Sequence, residues 1–233
     1  DTASAYAKAR RDDGAHPADL RLDAMRPYCT PSPGVEGETT HTPPLLLFAS
    51  DYDQIVSAVS FAAERGVPAA IVGGRDAPLC AELLKEHNIP VIINGVYPFP
   101  KRADSPHDEA YTLPARLHAA GVRFCISGAD RDGNVRNLPY EAAMAARYGL
   151  DRDAAIRAIT LTPAEILGVD GDYGSIEQGK SATLIVTTGD VLEITSNGEL
   201  AWIDGREIEL RSKQTELRDK YVEKYRQLGI IEE

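Results

Sequence analysis

Among the side chains that could do chemistry, Asp130 stands out by its position. It follows the apolar stretch 122–127 through Gly128-Ala129. A carboxylate just past a buried strand sits where α/β folds place proton-transfer groups. It is equally an ordinary turn or cap residue. Polar groups crowd behind it: Arg131, Asn134, Arg136 and Asn137. These read either as a solvated loop, with Asn137 capping the next helix, or as substrate contacts. The five histidines are His16, His41, His87, His107 and His118. No two stand at the i+2, i+3 or i+4 offsets of a local metal pair. His107 lies in a loop after a predicted strand and is a candidate ligand contact, with Lys101 and Arg102 of similar standing. Cys29, Cys80 and Cys125 are widely spaced and form no CxxC pair. Cys80 and Cys125 lie in apolar surroundings and read as buried thiols, which favours a reducing cytoplasm.

The elements that must position these groups follow from the hydrophobic pattern. Residues 1–43 read as a short helical segment and then a loop rich in Pro, Gly and Thr. From residue 44 to 168, short apolar runs alternate with amphipathic stretches. Leu45-Leu46-Leu47-Phe48-Ala49 is the first run, and 68–72, 90–93 and 122–127 are the next three. Helices are expected over 51–65, from 76, over 112–120, over 138–148 and over 151–160. Ile55, Val59 and Ala62 lie on one face of the first, and Leu79, Leu83 and Leu84 face inward in the second. Solid apolar strands joined by helices imply a parallel sheet buried on both faces. The pattern leaves a small doubly wound sheet and half of a (β/α)8 barrel open. Residues 169–211 turn β-like, with strands over 182–187, 200–203 and 207–210 and a turn at Asp204-Gly205. Residues 212–233 hold a polar helix with Leu217, Tyr221, Tyr225 and Leu228 in one stripe.

Two segments carry a family likeness. They are Leu161-Thr162-Pro163-Ala164-Glu165-Ile166-Leu167-Gly168 and Gly174-Ser175-Ile176-Glu177-Gln178-Gly179-Lys180. Together they resemble the end of amidohydrolase-superfamily enzymes, in particular the imidazolonepropionase-like branch. The resemblance implies the C-terminal half of a (β/α)8 TIM-like barrel, followed by strands of a small β-sandwich and a C-terminal helix. It also implies a metal-dependent hydrolase of C–N bonds in amides, cyclic amides or dipeptides, with zinc or another divalent metal. Strands one to four would then precede residue 1, and the expected partner is an N-terminal half or a second copy of the chain.

On this mapping Asp130 is the strand-eight carboxylate that binds metal and acts as general base. The strand-five histidine falls on Phe48 and the strand-six histidine on Gly73. Neither residue can donate a lone pair. A catalytic metal lowers the pKa of bound water from about 16 to about 7, and zinc needs about three protein ligands to do so. Asp130 alone cannot supply them. The resemblance therefore leaves two readings: part of a hydrolase that is not catalytic by itself, or a non-catalytic module of the same fold. Where the family pattern has Asp, this chain has Thr183, a structural position.

Charge and hydropathy narrow the partners. The formal net charge is −11, and Arg10-Arg11 and Lys101-Arg102 form no basic stripe, which disfavours nucleic acid. No apolar run is long enough to span a bilayer. A small-molecule amide remains the expected substrate.

Overall fold

The computed structural model describes residues 2–29, 42–128 and 132–231, and the side chains of 132–134 are not described. The chain divides into two compact units, residues 1–174 and 175–233.

The first unit opens with three short helices, α1 (Thr2–Asp12), α2 (Leu20–Asp23) and α3 (Arg26–Cys29). Four strands follow: β1 (Leu45–Ala49), β2 (Ala69–Gly73), β3 (Val91–Asn94) and β4 (Phe124–Ser127). They form one parallel sheet in the order β1-β2-β3-β4. The order never reverses. Crossovers of one hand therefore put the connecting helices on one face, and a doubly wound sheet, which needs a reversal, is set aside. Those helices are α4 (Tyr52–Arg65), α5 (Ala81–Glu86) and α6 (Glu109–Ala119). Ile55, Val59 and Ala62 of α4 are buried, as their spacing requires. Gly66 ends α4 in the left-handed conformation. A 3-10 turn (Ala77–Cys80) precedes α5. It rotates Leu79 into solvent, against the sequence expectation, while Leu84 stays in the core. Cys80 and Cys125 are buried free thiols, and burial pushes the Cys125 thiol up to about 12.

The opposite face of the sheet is set by register. Phe48 pairs with Val72, Val72 with Ile92, and Ile92 with Cys125, so their side chains share that face. Its lower part is closed by α9 (Leu161–Leu167), whose Ile166 packs with Ala70, Cys125 and Ile92. The helices α7 (Leu138–Arg147) and α8 (Arg152–Ile159) lead to it. Toward β1 the face is open: Leu46 is exposed and Phe48 is 79% exposed. The expectation of strands buried on both faces fails here. Among the described residues β1 is an edge strand that pairs with β2 alone, and its burial alternates, with Leu46 and Phe48 exposed on one face.

The second unit carries β5 (Leu184–Thr187), β6 (Gly198–Ile203) and β7 (Arg206–Glu207) in one antiparallel sheet. The third strand is two residues long rather than 207–210. Asp204 and Gly205 both take positive φ, +49° and +76°, the geometry a tight hairpin needs. Thr183 braces that turn, its Oγ1 accepting the Asp204 N–H at 3.1 Å. Thr183 thus fills a structural role with a neutral hydroxyl. The helix α10 (Lys213–Gln227) buries none of its residues, and its Leu217, Tyr221, Tyr225 stripe faces solvent. Among the described residues, no helix is long and apolar enough to cross a membrane.

Candidate active site

The carboxyl ends of β1, β2 and β3 open into a cleft of about 950 Å³. Strand ends of a parallel sheet converge there because each strand leaves its backbone N–H and C=O groups to the following loop. Two groups of polar side chains lie at or next to these strand ends.

The first joins the loops after β1, β2 and β3. Asp51, the residue ahead of α4, is ion-paired with Arg75. Gln54 reaches back to accept the backbone N–H groups of Ser50 and Asp51 at 3.0 and 3.2 Å, fixing the entry to α4. Asp76 is 5% exposed. Its two oxygens take the Arg102 guanidinium at 3.0 and 2.5 Å, a bidentate pair, and Oδ2 also accepts the Tyr52 N–H at 3.1 Å. Arg102, hydrogen-bonded to it, holds the Asp76 carboxyl below its usual range, and the Tyr52 N–H adds to this against the cost of burial. The Arg75 Nε lies 3.8 Å from Asp76 and is buried without a hydrogen-bond partner among the described residues.

The second group is on α7. Glu141 is also 5% exposed, and its Oε2 accepts the Val96 N–H at 2.7 Å. Burial pushes its carboxyl above the ordinary value, against the pull of that single amide. Tyr97 lines the same cleft. Its hydroxyl donates to the Tyr140 carbonyl at 3.1 Å, and its ring meets Tyr111 edge-on at 6.2 Å. Burial, with Glu141 and Tyr111 nearby, raises the phenol's pKa.

Asp130 and Arg131 fall outside the described residues, and the Asn134 side chain is not described. Arg136 is exposed in the 3-10 turn Asp132–Asn137, and His107 is exposed in the turn ahead of α6. Neither is among the residues lining the cleft, whereas Lys101 is. Asn137 continues the 3-10 turn and makes no side-chain cap to α7. Asp51, Arg75, Tyr97 and Glu141 line the cleft and were not anticipated as site residues. A signal existed for Glu141: it shares its helix with Ala142 and Ala145, both buried, so a charged residue stood at the edge of an inward face.

The match to the amidohydrolase family covers residues 37–208. The chain belongs to the amidohydrolase family. It is 28% identical over 134 residues to an imidazolonepropionase from Acidiphilium cryptum, covering 56% of this chain and 31% of that protein. It superposes on an amidohydrolase from Thermotoga maritima with a TM-score of 0.74 at 25% identity, covering 90% of this chain and 53% of that one. An adenosine deaminase from Xanthomonas campestris with bound zinc gives 0.52 at 18% identity, over 79% of this chain and 51% of that chain, which is a likeness of fold. The chain thus spans about half, or less, of the length of these proteins.

Members of this family commonly use a divalent metal, so the donors at the strand ends decide whether one fits. At the end of β1, Phe48 offers a ring. At the end of β2, Gly73 has φ +110°, and a Cβ there would come within 2.5 Å of the Ser50 Oγ. The backbone of β2 is thus shaped against any side chain at this position, histidine included. Among the described residues, no three His, Cys, Asp or Glu side chains are grouped to hold a metal ion. The described donor set does not fit the family's metal.

Proposed function

We propose that this chain is the C-terminal part of an amidohydrolase-type hydrolase acting on C–N bonds of small amides, cyclic amides or dipeptides, and that it is not catalytic alone. The observation that carries this reading is the cleft at the carboxyl ends of an unreversed parallel sheet, within a chain of this family. On this reading β1–β4 are strands five to eight of a (β/α)8 barrel, and the three-stranded sheet is one wall of a small β-sandwich. The open edge of β1, with Leu46 and Phe48 bare, is where an N-terminal half or a second copy would add strands. Asp130 is the assigned general base, with Arg131, Asn134, Arg136 and His107 as candidate substrate contacts. Zinc or another divalent metal would have to draw most of its ligands from outside the described residues.

A second reading has its own support: the same fold serving as a binding module without hydrolysis. Phe48 and the closed geometry at Gly73 favour it. Metal content by mass spectrometry, with hydrolysis of an amide panel, separates the two. The chain is measured alone and mixed with an N-terminal half bearing His-x-His. Bound metal and activity in the mixture, lost in Asp130→Asn, is the result expected of the hydrolase. An absence of both in the mixture overturns it in favour of the module.

A further inference from the structure

The charged side chains lining the cleft do not cancel. Asp51, Glu109 and Glu141 bring three carboxylates against the two cations of Arg75 and Lys101. Arg75 is already ion-paired with Asp51. Glu141 is the carboxylate of this set that is buried on the cleft floor. The Val96 N–H occupies Oε2, and Oε1 has no hydrogen-bond partner among the described residues. Glu141 is itself among the residues that line the cleft. A buried carboxylate with a free oxygen is costly unless something pairs with it. Three aromatic residues share the lining with Glu141: Tyr97, Phe48 and Phe99, the last 92% exposed. Aromatic faces attract cations and repel anions.

We propose that this cleft binds a small organic cation, an amine or amidinium on an apolar body, with Glu141 Oε1 as its counter-ion and the Tyr97 and Phe99 rings as its walls. Binding of this kind does not depend on any hydrolysis by the chain. The cleft has the size of an ordinary small-molecule site, and the protein's net charge of −11 favours approach of cations.

Three probes of one shape test it on the full 233-residue chain: benzylammonium, benzamide and benzoate, titrated by NMR or calorimetry. Benzylammonium is expected to bind at least about ten-fold more tightly than the other two. Glu141→Gln keeps an acceptor for the Val96 N–H but turns an amide donor toward the cleft, and should weaken benzylammonium by about ten-fold or more. Phe99→Ala touches an exposed ring, leaves the fold intact, and should weaken it by about three-fold. Three results overturn the proposal: benzoate or benzamide binding as well as benzylammonium, no probe binding, or a folded Glu141→Gln protein with unchanged benzylammonium affinity. If Glu141→Gln does not fold, the probe ranking and Phe99→Ala decide between the same outcomes.

Discussion

Asp76 and Glu141 are equally buried carboxylates at the same edge of one sheet, each 5% exposed, and their environments push them in opposite directions. Asp76 is held by two hydrogen bonds from Arg102 and one from the Tyr52 amide, and its acidity is strengthened. Glu141 has one amide hydrogen bond, and its acidity is weakened. Burial penalises both charges; what differs is how many donors compensate it. The saturated carboxylate acts as a staple, since its partners leave no oxygen for a ligand. The under-coordinated one retains an oxygen that a ligand can use. Partner count therefore separates a structural charge from a candidate functional one here, where exposure does not.

The sharpest way to break the comparison is to remove the staple. Asp76→Ala leaves Arg75 and Arg102 facing each other across the loops after β2 and β3, with the Tyr52 N–H unpaired. Loss of one partner from a buried ion pair costs about 3–5 kcal/mol. Arg102 is itself half-exposed, so about 2–3 kcal/mol is expected in urea unfolding. A loss below about 0.5 kcal/mol would mean that the Asp76–Arg102 pair contributes no more than an exposed ion pair. Gly73→Ala comes next. Its Cβ would press on Ser50 beside Asp51 and must accept φ +110°, for a cost of about 1–3 kcal/mol. If the same substitution is neutral, β2 can relax and the position is open to a larger ligand residue after all.

The sequence made the scaffold legible because it is written in periodicity. The four apolar runs became four strands, and Ile55, Val59 and Ala62 became the inner face of α4. Glycines at 66 and 168 ended helices in the left-handed conformation. Two kinds of feature escaped. Edge status is a property of topology, so the exposure of Leu46 and Phe48 could not be read from a run that looks as apolar as its neighbours. The charge network is long-range: Asp76 meets Arg102 across 26 positions, and Glu141 meets Val96 across 45. Locally, Asp76 looked like a helix start, and Arg102 read as a candidate ligand contact rather than as the partner of a buried carboxylate. Gly73 shows the reverse. The resemblance aligns it with a ligand position, and the backbone adds a physical reason why a side chain there is strained.

The smallest effect is the most specific, because it turns on sign. A carboxyl whose pKa is raised on folding binds its proton more tightly in the folded state. Glu141 therefore costs nothing below the ordinary Glu value. Its cost grows as pH rises from that value to its raised one, and is constant above. Asp76 behaves oppositely: its contribution is full above the ordinary Asp value and is lost as pH falls through its lowered one. Glu141→Gln should thus match the wild type in acid and exceed it in thermal stability at pH 7, by about 1 kcal/mol or less. A melting series from pH 4 to 8 checks this. An equal or lower melting temperature for Glu141→Gln at pH 7 would mean that Glu141 is stabilised in the folded protein, and the contrast with Asp76 would disappear. Adding benzylammonium to the wild type at pH 7 should then close the gap from the other side, because a bound cation supplies the partner that Gln makes unnecessary.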